Sequence, residues 1–176
     1  MNLTILVGNP TPNSKTLALA EHVADVIAPV IGAGRRRTID LSDLASDMFD
    51  PNAQNVQRMM EEVAASDFAI VASPTYKATY TGLLKSFLDR YDQNGLASVV
   101  AIPVMTGGSL AHMLAPDVAL RPLLVELGAS VPTRSLFHLA ASPDERGARV
   151  TKWVEQNRAT LAGAAAARRA QCEAAN

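Results

Sequence analysis

The sequence predicts an α/β fold built around one parallel sheet. Short apolar runs alternate with amphipathic helical stretches from end to end, the pattern of strand–helix units rather than of a bundle or a sandwich. One run, residues 68–72 (FAIVA), is continuous and β-rich, as expected of a strand covered by helices on both faces, and is expected at the centre of the sheet. With 176 residues and 48% hydrophobic composition, the chain is sized for a single domain with a substantial core.

Taken in order, residues 3–7 read as a short buried strand and residues 8–13 (GNPTPN) are all turn formers. Residues 14–30 then place Leu17, Ala20, Val23, Ala24 and Ile27 on one helical face. Residues 38–41 read as a second, shorter strand, with Arg35, Arg36 and Arg37 ahead of it as a solvated basic face. A helix over 55–65 carries Val56, Met59, Met60 and Val63; after the central strand comes a helix over 81–91. A fourth strand is expected over 99–104, then a helical region over 109–127 interrupted by Pro116 and Pro122, a fifth strand within 130–139, and a helix over 149–161. Five strands in about 165 residues fit a flavodoxin-like doubly wound sheet, order 2-1-3-4-5, better than a six-stranded dinucleotide-binding fold. Residues 1–161 are the expected domain, and 162–176 an Ala-rich tail with Arg168 and Arg169 that extends the last helix or frays.

Composition excludes several function classes. Lys plus Arg total 16 against 17 Asp plus Glu, a net charge of −1, so no electrostatic case for nucleic acid exists. No window nears the roughly 18 apolar residues of a membrane span, and the first residues lack the features of a signal peptide. Cys172, the only cysteine, can form neither an internal disulfide nor a multi-cysteine metal site, and a reducing, cytoplasmic setting is the expectation. His22, His112 and His138 show no metal-ligand spacing.

In an open parallel sheet the ligand crevice lies beyond the carboxyl ends of the strands, and three loops leave such ends with unusual composition. The first, GNPTPNSKT, has neither G-x-G-x-x-G nor Walker A spacing. It offers Asn9, Thr11, Asn13, Ser14 and Thr16 at the mouth of a helix, a place suited to a phosphate monoester; the plainer reading is that Asn13 or Ser14 only caps the helix. The second, SPTYKATYTGLLK, fixes its backbone at Pro74 and follows with Thr75, Tyr76 and Lys77, which suits the edge of a planar heterocycle or an ordinary turn. The third, TGGSLAH, brings Thr106, Gly107, Gly108 and Ser109 before a helix, where peptide N–H groups could stabilise negative charge on a ring. A serine hydrolase is disfavoured because GGSLA is not G-x-S-x-G.

The segments PTYKATYTGLLKSFLD and MTGGSLAHMLAPDVALRPLLVELGA resemble the NADPH-dependent FMN reductase family, most of all the branch that supplies reduced flavin to two-component monooxygenases acting on alkanesulfonates. The resemblance runs from about Leu3 to Leu139 and implies FMN as cofactor, NADPH or NADH as hydride donor and a flavin-dependent monooxygenase as partner. It carries phosphate binding to Asn9, Thr11, Ser14 and Thr16, ring contacts to Pro74, Thr75, Tyr76 and Lys77, and pyrimidine-edge contacts to Thr106, Gly107, Gly108 and Ser109, with His112 beside the site. The branch commonly has tyrosine just before A-L-[RK]-P, in a distorted helix at a subunit interface; here Val118 stands there, with Pro116 two residues earlier. No side-chain acid or base is required, because the cofactor carries the chemistry.

The resemblance also points to a homodimer or homotetramer, and the helices over 81–91 and 109–127 carry more apolar residues than one buried stripe needs. The alternatives are a flavin-retaining quinone, azo-dye or chromate-type reductase and, from another class, a flavodoxin-like electron carrier. A net charge of −1 argues against the carrier, which would need an acidic surface to steer its partners.

Overall fold

The computed structural model describes residues 1–174. Five strands, β1 (Asn2–Val7), β2 (Arg35–Asp40), β3 (Phe68–Pro74), β4 (Val100–Gly107) and β5 (Leu136–Leu139), form one all-parallel sheet in the order β2-β1-β3-β4-β5. The central position goes to β3, buried at every residue, which is why its sequence shows no polar alternation. On one face, α1 (Lys15–Ile31) and α5 (Arg146–Ala174) pack on Leu3, Ile5, Val7, Ile70 and Ile102. The other face carries α2 (Gln54–Ala64), α3 (Gly82–Leu88) and α4 (Arg121–Glu126) over Leu6, Val71, Met105 and Phe137.

Several elements differ from the sequence expectation for identifiable reasons. Arg35, Arg36 and Arg37 do not precede the second strand but form its first half: β2 is an edge strand, so these side chains stay solvated. Arg36 pairs with Asp25, and Arg37 Nε lies 3.2 Å from Glu62. The fifth strand covers only the last four residues of the expected range. Arg121 takes the carbonyl oxygens of Val131 (2.8 Å) and Thr133 (2.5 Å) and so keeps that segment out of the sheet.

The region 109–127 is not one helix. It splits into a 3₁₀ turn (Leu110–His112), a π turn (Pro116–Leu120) and α4. Pro122 has no N–H to return to the preceding turn, and the Arg121 N–H reaches back five residues to the Pro116 carbonyl. The Asp117 carboxylate then accepts from Arg121 Nε (3.0 Å), Nη2 (2.8 Å) and the Ser135 hydroxyl (2.7 Å). Burial alone would raise the Asp117 pKa; the hydrogen bonds from Arg121 and Ser135 outweigh it and hold the carboxyl below its ordinary range.

The Ala-rich stretch beyond Leu161 continues α5, a 29-residue helix about 43 Å long. Its far end reaches the amino-terminal ends of the strands, where Arg168 Nη2 lies 3.0 Å from Asp67 and Arg169 donates to the Ile31 carbonyl at 3.3 Å. Ala175 and Asn176, the end of the expected tail, lie outside the described residues. No helix among the described residues is long and apolar enough to cross a membrane. The apolar surplus expected of the 81–91 helix is spent on the core, where Leu84, Phe87 and Leu88 are fully buried. Large exposed apolar groups sit instead on the broken region, at Leu110, Met113, Leu114, Val118 and Val125.

Just past β1, Gly8 is packed so closely on α3 that an added Cβ would sit 2.4 Å from the Leu84 Cβ. Gly8→Ala is expected to destabilise the fold by about 1–3 kcal/mol. Gly34→Ala, which meets nothing within 4 Å, should stay within about 0.5 kcal/mol of wild type. Urea denaturation measures both, and equal effects would contradict the close approach.

Candidate functional site

Because the sheet is parallel, β1, β3 and β4 end side by side, and their loops meet over the same edge. The pairing of β1 with β3 runs one residue past the strand, with the Gly8 N–H donating to the Ala72 carbonyl at 2.8 Å. Asn9 then turns the chain by accepting from the Thr11 N–H at 2.9 Å, and Asn13 takes a left-handed conformation, φ 53°. Ser14 caps α1, its hydroxyl accepting from the Leu17 N–H at 3.1 Å.

The second loop begins at Pro74, buried at the end of β3. Tyr76 and Thr79 exchange backbone hydrogen bonds of 2.8 and 3.1 Å around Lys77 and Ala78, whose φ angles are 50° and 67°. Two successive left-handed non-glycine residues cost about 1–3 kcal/mol each, and such strain persists where the surroundings impose it. Tyr76 stands 49% exposed beside this turn. The third loop follows β4: Ser109 caps the 3₁₀ turn by accepting from the Ala111 N–H at 3.2 Å, and the partly buried His112 completes that turn. Gly107 is there for space, since a Cβ would lie 2.5 Å from the Phe137 ring. Gly108 faces open space, with nothing within 4 Å of an added Cβ.

Hydrogen bonds tie the loops into a closed triangle. Thr16 and Thr106 share a 2.7 Å bond between hydroxyls, with Asn9 Nδ2 donating to Thr16 at 3.2 Å, which joins the first loop to the third. The Thr75 N–H donates to the Thr106 carbonyl at 2.7 Å, joining the second to the third. The Thr81 hydroxyl donates to the Gly8 carbonyl while accepting from the Leu84 N–H, joining the second to the first. Ser73 braces this corner by accepting from the Thr81 N–H at 3.0 Å.

The residues singled out in the sequence thus come together, with divided tasks. Asn9, Ser14, Thr16 and Thr106 are buried and committed to one another or to the α1 cap, whereas Thr11, Tyr76, Lys77, Gly108 and Ser109 face outward. The Thr75 hydroxyl oxygen is buried with no hydrogen-bond partner among the described residues. Thr81 and Ser73 were not singled out; the signal for Thr81 was a threonine immediately before the G-L-L-K helix start.

His138 is buried opposite Thr106 in the β4–β5 pairing. Burial pushes its imidazole below the ordinary range, and Arg146 and Arg149 push the same way against a Ser142 backbone hydrogen bond and Glu145. With the folded value below the unfolded value of about 6.5, the neutral ring's contribution is complete above that pH and is lost as pH falls through the folded value. His138→Gln should therefore flatten the loss of stability as pH falls below about 6.5. Superimposable urea midpoints for variant and wild type across that window would contradict it.

The sequence profile described as NADPH-dependent FMN reductase matches residues 1–144. An FMN reductase (NADPH) from Pseudomonas putida KT2440 is 41% identical over 101 residues, 57% of this chain; the match spans only 50% of that protein's length. The FMN reductase (NADPH) of Escherichia coli K12 is 32% identical over 140 residues, covering 78% of this chain and 72% of that one. Among solved structures, the apo NADH:FMN oxidoreductase EMOB superposes with a TM-score of 0.78 at 33% identity, over 91% of this chain and 89% of that one. The chain belongs to the NADPH-dependent FMN reductase family.

Proposed function

We propose that the protein is an NAD(P)H-dependent FMN reductase, converting NAD(P)H, a proton and FMN to NAD(P)⁺ and FMNH₂, with the flavin seated across the three tied loops. The hydrogen-bonded triangle at Thr16, Thr106, Thr75 and Thr81 is the observation that carries the reading, because it braces three strand-end loops against one crevice. The residues suit the cofactor at three places. Thr11 and the leading N–H groups of α1 suit a phosphate. The unpartnered Thr75 hydroxyl suits a polar ring edge, and the open side of Gly108 admits a planar ring against the backbone.

FMN, when bound, supplies the hydride-accepting chemistry. The chain binds and orients: the α1 dipole and amides hold the phosphate, Pro74 and the strained 76–79 turn fix the ring's position, and the Gly108 and Ser109 amides donate where negative charge gathers on the ring. Asn9, Thr16 and Thr106 hold the loops in place through their shared hydrogen bonds. The two motifs in residues 74–89 and 105–129 support a flavin-dependent monooxygenase as the user of the reduced flavin.

Thr11→Ala should weaken FMN by about tenfold, the worth of one charge-assisted hydrogen bond, and leave riboflavin unchanged. Titration of both flavins checks this, and equal weakening would remove the loop from the phosphate. Oxidation of NADPH by flavin-stripped protein would contradict the reading as a whole. A second copy of the chain is the proposed cover for the apolar surface around Val118, which is 67% exposed. Val118→Asp should then lower the mass measured by analytical ultracentrifugation at micromolar concentration; an unchanged mass, or a monomeric wild type, would reject the assembly.

A further inference from the structure

A groove of about 540 Å³ runs along the outer edge of β5, between α5 and the turns that follow β4. It lies outside the three tied loops. Arg149, Lys152, Trp153 and Gln156 line it at positions i, i+3, i+4 and i+7 of α5, so one helical face supplies a whole wall. Arg134 faces them from the segment leading into β5, its backbone carbonyl accepting from the Trp153 indole N–H at 3.0 Å. Arg149 Nε donates to the Phe137 carbonyl at 3.3 Å, which anchors its guanidinium at the strand edge.

The charge of this groove is uncompensated. Among the described residues, Arg134, Arg149 and Lys152 enter no ion pair. Asp117, the carboxylate in the same wall, is already held by Arg121 and Ser135. Phe137 and the buried Trp153 supply an apolar floor beneath the cations. A concave site of this size with an apolar floor and several cations matches a small polyanion with a ring system.

The groove also leads to the flavin crevice. It shares Met113, Phe137 and Arg149 with a second depression that reaches Leu110, His138, Leu139 and the carboxylate of Glu145, and Leu110 directly follows the Gly107–Ser109 loop. From Leu139 back to Arg134 is five residue steps, on the order of 16 Å in extended chain. A dinucleotide whose nicotinamide lies at the flavin ring must send its other half out of the crevice, and this path passes Glu145 and Arg149 before it reaches the cations of the groove. The Arg35–Arg37 run cannot serve, because it stands at the opposite end of the strands with Arg36 and Arg37 already paired.

We propose that the β5-edge groove binds the adenosine 2′-phosphate half of the reduced dinucleotide, with Arg134, Arg149 and Lys152 as its anion ligands, and thereby makes the enzyme prefer NADPH to NADH. This rests on the flavin reductase reading but is measured separately. Trp153 is the only tryptophan of the chain and lies in the groove, so its emission reports occupancy without flavin or turnover.

The test titrates the full-length protein with 2′,5′-ADP, with ADP and with inorganic phosphate while Trp153 emission is followed. Binding of 2′,5′-ADP should be saturable and at least tenfold tighter than that of ADP. An Arg134→Ala/Lys152→Ala variant, which removes two exposed side chains that make no hydrogen bond or ion pair among the described residues, should weaken it at least tenfold while FMN affinity stays unchanged. In turnover the same variant should raise KM for NADPH at least tenfold, with KM for NADH within twofold and kcat retained. The charge-reversed Lys152→Glu should reproduce the loss. Emission that ignores 2′,5′-ADP, a response no tighter than that to ADP or phosphate, or equal effects on NADPH and NADH would overturn the proposal. So would emission that changes on dilution and not with nucleotide, which would mark the groove as a contact between copies of the chain. Failure of FMN to bind would instead remove the flavin reading and leave the 2′,5′-ADP titration to judge the groove.

Discussion

The hydrogen bond between the Thr16 and Thr106 hydroxyls joins the start of α1 to the end of β4, and the site depends on it. Neither residue is adjacent in sequence, and they meet only because β1, β3 and β4 run parallel and finish at one edge. Thr106 uses both its hydroxyl and its carbonyl, binding the first loop with one and the second with the other. Buried hydroxyls of this kind must be satisfied, and here each satisfies the other, so the loops are fixed by groups that would be costly to separate. A ligand meeting such loops loses little to ordering them.

The same division between bracing and binding explains which side chains face outward. Hydroxyls locked inside set the backbone, and in the proposed flavin site backbone amides with a few exposed groups are what would meet the ligand. Gly107 and Gly108 show this side by side: the first is glycine because Phe137 occupies its Cβ position, the second borders open space. Neither adopts a left-handed φ; that conformation falls instead on Asn13, Lys77 and Ala78 in the outward turns.

The strand order was legible in the sequence because apolar runs and turn formers alternate without ambiguity, and the uninterrupted FAIVA run marked the central strand. The loops were legible from their composition. What could not be read was whether a polar residue faces inward. Thr16 and Thr11 look equivalent in sequence, and only the helix phase and the position of Thr106 separate the buried, braced hydroxyl from the exposed one. Residues 109–127 looked like one interrupted helix because Pro116 and Pro122 give no sign of which carbonyl will be left over. The choice of a π turn is settled by Asp117, Arg121 and Ser135, contacts that span 18 residues. The edge groove was equally hidden, since Arg134 and Lys152 meet only when the last helix folds back along β5.

The central claim, that three separate loops act as one flavin cradle, is tested most directly by amide hydrogen exchange with and without FMN. The account predicts that FMN slows exchange together in residues 14–17, 75–79 and 107–111, with little change at the Arg35–Arg37 end of β2. Protection confined to one of these loops, or appearing elsewhere on the surface, would contradict it.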